Sequence, residues 1–597
     1  MRAQMIFGIS GGGLAGPGPI PGSACRQMGP ARSGDRARTR GSAPLLFLLV
    51  ACLSFAQEQR TLVPPVRPFR IGPRIGVFTE ARITLDQALQ MALSNNKDIE
   101  ASRIDKQEAE YNLIGALGVY DPVLGGTTYW LKQVSPASSS LSGSATGAVL
   151  SKTWLFDPSV SGSTPWLGGS YRTDFSNQRA VTNNTFVTLN PQFPTSLNLQ
   201  YTQPLARGLR YDANRHSIEV AKKNRSLTDE QFRLRVMSIL QQTELAYWEL
   251  VYAYNNLQVQ LEAVDIGRQQ DESNRRQEQQ GLLAPIDVVA AQTQLATFEQ
   301  EAYSAQNALT RAEDNLKTLI LPARSAPLWS SALIPTPPAA KPTLTPLADA
   351  VADALTNRPE VAQTKISGEI NLSDTRYYRD LTKPQVDLTG SYNRSGLAGP
   401  QVIQGVNPIT AGFVPLIDRL NSLSSTAGLP PINLNFGSSG APPLLVGGYG
   451  QSLSNLWAGN FPTTQVQLRV AIPIRNRTAE ANLGRSLAEG RRIKNQTEQI
   501  EQAIEADVRN AMQQVQSAQQ RLDAARVARE SAEEQYSGEQ RQFRAGTSTL
   551  FLVQQRQSTM ITARSQERRS EADLGEAIAA FELATASILR EHNITLK

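Results

Sequence analysis

Residues 281–295 read GLLAPIDVVAAQTQL, and residues 546–560 read GTSTLFLVQQRQSTM. Each stretch opens on Gly, passes through a short turn-like segment and runs into a helical pattern, and each follows a long heptad-like run. Two such turns, 265 residues apart, are the feature that the rest of the chain has to explain.

The turns are one pair of markers in a chain-wide repeat. LSNNKDI from Leu93 matches LTNRPEV from Leu355 at an offset of 262, with Ala88 and Ala92 answered by Ala350 and Ala354. Pro122 and Pro384 keep that offset, while Pro204 and Pro473 stand 269 apart. The order of parts is preserved as loop lengths change, which is the mark of a duplicated architecture. Between the halves, residues 321–346 form a Pro-rich connector that cannot be helical throughout. The expected divisions are 1–56 as a signal segment, 57–82 as an exported N-terminal tail, and 83–320 as the first repeat. The connector follows, then 347–592 as the second repeat and 593–597 as a tail.

Each half predicts helix, strand, loop, strand, very long helix, Gly turn, helix. The first helix is expected over about 84–120, with Thr84 and Gln87 as a capping box. The long helix over about 212–280 would measure roughly 100 Å at 1.5 Å per residue. Val236, Thr243, Leu250, Leu257 and Val264 repeat every seven residues along it, joined by Leu240, Tyr247, Tyr254 and Leu261. Leu245, Tyr252, Val259 and Ile266 form a second series about 200° around the helix. Such a helix wants a neighbour on two sides, as in a wall one helix thick or in the middle of a solid bundle. The partner over about 478–542 sets Ile504, Ala511, Ala518, Ala525 and Ala532 on one series, allowing close approach.

Around the prolines the period changes to two. Leu197, Leu199 and Tyr201 alternate with Asn198, Gln200 and Thr202; Val386 and Leu388 alternate with Asp387 and Thr389; Val466, Leu468 and Val470 alternate with Gln467 and Arg469. With a weaker segment over 127–134, this predicts four strands that have one apolar and one polar face, as membrane β-barrel strands do. Soluble half-buried sheets share the alternation. Four strands are too few to close a barrel, so an exported chain of this kind has to share one between copies. Gln200, Asp387, Gln467 and Arg469 would then face the lumen. The stretches 135–194 and 394–462 read as loops at the barrel mouth, with room for an extra strand near 166–175.

Composition narrows the function classes. The 597 residues are 40% hydrophobic and 19% charged with a formal charge of +6. Six arginines and one aspartate lie in residues 1–56, so the rest is near neutral and offers no basic field for nucleic acid. That Arg-rich start leads into APLLFLLVACLSFA at 43–56, too short to span a bilayer as a helix and of signal-peptide length. Cleavage after Ala56 is the favoured reading; Leu49-Val50-Ala51-Cys52 is a rival lipoprotein-type box that would leave Cys52 acylated. Met28 is an alternative start. Both cysteines fall in this segment, and His216 and His592 are the two histidines, so no metal site, cofactor or catalytic residue is expected. No phosphate loop or nucleophile elbow appears.

In its order of parts the chain resembles the TolC-type outer-membrane efflux proteins. The resemblance rests on ITLDQALQMALSNNKDI from Ile83, YTQPLARG from Tyr201, AYWELVYA from Ala246, GLLAPIDV from Gly281 and the second turn at Gly546. It implies an α+β membrane protein with four strands per chain, a homotrimer with a 12-stranded barrel in outer-membrane lipid, and a periplasmic α-helical coiled-coil barrel with the connector around its middle. It also implies a passive duct that works with a periplasmic adaptor (a membrane fusion protein) and an inner-membrane pump or ABC transporter. Gly281, Leu282, Gly546 and Thr547 match the tips at which the adaptor docks. Some members carry two aspartates after the second tip; the matching positions here are Leu552 and Gln555, so the acidic ring is missing. Asp287 matches the family's Asp-Val after the first tip. Asp287, Leu552 and Gln555 are the constriction candidates, with Leu552 suited to an apolar gate. The alternative reading is an exported periplasmic coiled-coil scaffold whose strands form a small soluble sheet.

Overall fold

A computed structural model describes residues 69–137, 147–338, 345–402, 413–432 and 440–596. Strand β1 (Thr79–Thr84) leads into helices α1 (Leu85–Asn95) and α2 (Lys97–Leu117), and then come strands β2 (Val123–Pro136), β3 (Ala148–Ser163), β4 (Ser170–Thr182) and β5 (Phe193–Pro204). Helices α3 (Ala213–Gln279) and α4 (Pro285–Ile320) precede β6 (Ser331–Thr336). The second half has α5 (Leu347–Asn357), α6 (Pro359–Leu381), β7 (Gln385–Ala398), α7 (Val414–Thr426), α8 (Tyr449–Ala458), β8 (Phe461–Ala471), α9 (Arg477–Arg544) and α10 (Leu550–Ala584).

Thr84 caps α1 in the expected box: its side chain accepts from the Gln87 amide, and the Gln87 side chain accepts from the Thr84 amide. The single helix expected over 84–120 is instead two, because Asn96 leaves the helix at ψ 130° and caps α2 through the amides of Asp98 and Ile99. The same break recurs at Arg358-Pro359 between α5 and α6. Here Pro359 disfavours helical ψ at its predecessor. Asn95 and Asn96 also donate to the carbonyls of Ile320 and Leu319, satisfying groups left free where α4 ends. The matched heptapeptides therefore mark a helix break, used in both halves.

The long helices α3 and α9 are flanked along their length. Helix α3 touches α2 and α6 on its early part and α4 and α10 on its later part; α9 touches α5, α6 and α10. The first stripe of α3 is buried, from Val236 and Leu250 at 0% exposure to Leu257 at 8%, against Ala305, Leu309, Ala312 and Leu316 of α4. On the other side Trp248 lies so close to α10 that a Cβ on Gly575 would stand 2.2 Å from its ring. The small-residue stripe of α9 packs with Leu574, Ala577 and Phe581 of α10. Neighbours on two sides of α3 are what its two stripes called for.

The connector supplies β6, which pairs in parallel with β1 from Thr79↔Ser331 to Thr84↔Thr336. Beneath it Lys317, 1% exposed, donates to Glu313 at 2.6 Å and to the carbonyls of Trp329 and Ser331. Arg74 reaches the same Glu313 at 2.6 Å. Part of the connector, 339–344, and the whole signal segment with Cys52 lie outside the described residues.

The main sheet corrects the expected strand count. It has six strands, not four, in the order β2-β3-β4-β5-β7-β8, antiparallel throughout. The stretch expected to be a loop at 135–194 holds β3 and β4. Lys152 and Pro158 hid β3, since a charge interrupts the apolar alternation and a proline removes a ladder donor. These strands run the full height of the sheet: the turn between them is tied to the start of α3 by Arg215 donating to Pro165 and to β5 by Gln203 donating to Leu167.

Candidate functional site

Three parts of the fold hold the candidate residues: the turns at the far end of the long helices, the helix faces behind them, and the sheet. The turns share one geometry. Gly281 lies at φ 75° and Gly546 at φ 76°. The Gly281 amide donates to Glu278 and that of Leu282 to Gln277; the Gly546 amide donates to Phe543 and that of Thr547 to Gln542. Both are Schellman motifs, in which a left-handed residue lets the chain cap its own last carbonyls. Restart differs: Pro285 opens α4 with no side-chain cap, whereas Thr549 accepts from the Leu552 amide to open α10. Leu282 is 73% exposed, and Gly281, Gly546 and Thr547 are exposed beside it on their turns.

Behind the second turn, Leu552 and Gln555 lie one helical turn apart on an exposed face of α10, next to Phe551 at 71% exposure. Gln555 borders a groove of about 670 Å³ with Phe551, Thr559, Gln294 and Ala528. Asp287 stands apart, in the first turn of α4; the Gln294 side chain donates to Ser558 to join the two hairpins at 3.1 Å. Sequence reasoning missed Arg564, which reaches Glu533 of α9 at 2.7 Å and Glu262 of α3 at 3.0 Å and so ties three helices.

Residues opposite one another in a ladder share a face, so the register sorts the sheet. Gln200 stands opposite Arg172 and Ser391, Asp387 opposite Arg469, and Gln467 opposite Thr389. All four lumen candidates therefore share one face, with Asp157 of β3 and Asp174 of β4. Arg172 pairs with Asp174 at 2.7 Å, and Asn198 donates to Asp174 at 3.1 Å. The other face carries Leu124, Trp130, Trp154, Phe156, Leu199, Leu388, Val466 and Leu468, all more than a third exposed. Ile472 and Ile474, which continue the apolar alternation, lie beyond the end of β8 at Ala471. Neither edge, β2 or β8, has a partner strand among the described residues. Among those residues no helix is long and apolar enough to cross a membrane.

A family model described as "Outer membrane efflux protein" matches residues 165–320 and 429–587, one segment in each half. The chain belongs to the outer membrane efflux protein family. Its relatives in this family are channels, and the chain is an outer-membrane efflux protein by that membership. The fold agrees with solved structures. The Campylobacter jejuni CmeC outer membrane channel matches with a TM-score of 0.57 at 14% identity, over 90% of this chain and 99% of that one. The outer-membrane channel OprN matches at 0.56 and 14%, over 84% and 89%. The outer membrane protein VceC from Vibrio cholerae matches at 0.53 and 14%, over 84% and 95%. At these identities the likeness speaks for the fold. A comparison with curated proteins found no match.

The histidines have structural settings. His216 stacks on Tyr377 at 4.5 Å and pairs with Asp374 at 2.7 Å. Among the described residues the one cluster with metal-type donors is Glu244, Glu582 and His592. His592 Nε2 lies 2.7 Å from Glu244 and 3.4 Å from Glu582. Burial works against the imidazolium, but the two carboxylates outweigh it and hold His592 up to about 10. The cluster is an ion triad that fastens the C-terminal residues to α3 and α10. Nothing local in the sequence signalled it, since its members are 348 residues apart at the extremes.

Proposed function

We propose that the chain forms a passive duct through the outer membrane, built from three copies that share one barrel. The observation that carries this reading is the two-faced sheet with two open edges, standing at one end of helices roughly 100 Å long. Unpaired strand edges cannot stay unsatisfied in hydrocarbon, so β2 of one copy pairs with β8 of the next until the ring closes. Six strands from each of three copies make eighteen in place of the twelve that the resemblance implies. Barrels of 16–18 strands leave an aqueous channel. The apolar face meets lipid except where α8 packs on it at Asn177, Thr195 and Gly396, and the face with Gln200, Asp387, Gln467 and Arg469 lines the lumen.

The helices continue the duct into the periplasm. The turns at Gly281-Leu282 and Gly546-Thr547 take the helical hairpins of a periplasmic adaptor, through which an inner-membrane pump or ABC transporter supplies the energy. Leu552 and Gln555 narrow the far end; with no acidic ring there, the apolar Leu552 gates by dewetting, and Leu552→Asp should raise cation preference in single-channel recordings.

Disulfide trapping tests the shared barrel. One of Thr127→Cys or Tyr129→Cys on β2 is combined with one of Gln465→Cys or Gln467→Cys on β8, and outer membranes are oxidised. At least one combination should give a ladder that ends at the trimer. No ladder from any combination, or one that stops at the dimer, would favour a scaffold or another ring.

A further inference from the structure

The lipid-side face of the sheet carries a charge pattern that transport does not use. Lys132 and Lys152 stand directly opposite each other on β2 and β3, both exposed. Arg179 of β4 stands opposite Trp154, diagonal to Lys152, on the same face. Directly opposed like charges destabilise a sheet unless an anion lies between them. No Asp or Glu stands on this face of the six strands, and the adjoining loops 137–147 and 183–192 contain none. The acidic residues of the strands, Asp157, Asp174 and Asp387, all lie on the opposite face.

The position is as informative as the charge. One pleat nearer the middle of the sheet, Trp130 stands opposite Trp154, 65% and 57% exposed. Two residues along a strand advance it by about 7 Å. Below the tryptophans the same face continues as Thr128, Phe156, Leu124 and Val160, toward the turn tied to α3. From the middle outward the face therefore carries aliphatic and aromatic residues, a tryptophan pair and a lysine pair in the half of the sheet away from the long helices, with Val134–Leu150 and Pro136–Ala148 beyond the lysines. Tryptophans mark the boundary of hydrocarbon and headgroups, and lysines just beyond them lie at headgroup depth.

We infer that Lys132, Lys152 and Arg179 form a binding site for the phosphate of a phosphorylated lipid headgroup in the outer leaflet. The inference rests on the barrel reading, which sets this face against lipid. A phosphate carries the anion that the opposed lysines lack, and the lipid's chains lie along the Trp130–Trp154 side of the strands. Continuity with the apolar face selects a lipid over a soluble phosphate.

Native mass spectrometry of the detergent-extracted full chain tests this, with bis-phosphorylated lipid A, its dephosphorylated form and inorganic phosphate as probes. The phosphorylated lipid should bind saturably. The Lys132→Gln/Lys152→Gln variant should bind it roughly thirtyfold more weakly. Equal binding by the variant, equal binding of the dephosphorylated lipid, or equal occupancy by inorganic phosphate would each overturn the assignment. Quenching of Trp130 and Trp154 by brominated lipid, scored against Trp130→Phe/Trp154→Phe, separates the two failures. Quenching without phosphate dependence sinks this site alone; absence of quenching in the unaltered protein sinks the barrel reading beneath it.

Discussion

The helices and the sheet of this chain solve the problem of burial in opposite ways. The stripes of α3 and α9 are covered by α2, α4, α6 and α10 of the same chain, down to 0% exposure at Val236, Leu250 and Ala518. The sheet leaves Trp130, Leu199, Val466 and Leu468 uncovered and both of its edges open. A single copy thus covers the stripes of its long helices, though Ile104, Tyr111 and Ile114 of α2 and Val527 of α9 stay exposed, and it leaves its strands open at both edges. What is missing at the strands has the chemistry of lipid on one face, water on the other, and more strands at the edges.

The largest effect is expected where the helical part is most self-contained. Lys317→Ala takes from buried Glu313 one of its two cationic partners, both 2.6 Å away, and should destabilise the region under β1 and β6 by about 3–5 kcal/mol. The readout is the denaturant midpoint of the helical signal in detergent; a change under about 1 kcal/mol would mean that Arg74 alone satisfies the carboxylate. Next comes a matched pair in the sheet. Leu199→Arg puts a charge on the apolar face and should cost about 2–4 kcal/mol near the bilayer midplane, seen as loss of assembled protein from outer membranes. Gln200→Arg, one residue on, should leave assembly intact and shift ion selectivity. Equal tolerance of the two would erase the distinction between the faces.

Smaller effects sharpen the comparison at the turns. Gly281→Ala and Gly546→Ala each force a side chain into the left-handed region at a cost of about 1–2 kcal/mol. No atom lies near either added Cβ, so the cost is local and shows as faster amide exchange at the turn. A large global shift would contradict that. The smallest effect concerns pH. Because His592 is held up to about 10 when folded, against an ordinary value near 6.5, its contribution is full below pH ~6.5 and is lost as pH rises through about 10. Amide exchange of the C-terminal residues should quicken across that window, and Glu244→Gln should narrow it. Exchange that follows only the intrinsic base-catalysed rate would remove the triad as a fastener.

How much of this was legible in the sequence divides along the same line. Helix stripes, the capping box at Thr84 and the glycine turns are local patterns with a fixed period, and each has a definite local geometry in the structure. The strands after Pro194 and Pro384 were legible because their alternation is clean. Strand β3 was not, since Lys152 and Pro158 break the period, and β4 was only glimpsed near residue 175. Contacts between distant segments left no trace: Glu244 with His592, Arg564 with Glu262, and the bond from Asn95 to the end of α4 depend on tertiary placement. Among the site candidates, register alone was enough to bring Gln200, Asp387, Gln467 and Arg469 onto one face. Nothing of that kind joins Asp287 to Leu552 and Gln555, which lie on different hairpins.

The most direct test of the shared duct is cryo-electron microscopy of the protein extracted from outer membranes in mild detergent, with side and end views resolved. A shared duct gives a threefold particle with a detergent belt at one end, eighteen strands within the belt and a helical tube roughly 100 Å long beyond it. A particle without a belt, or a ring in which β3 and β4 lie outside the closed wall, would contradict it.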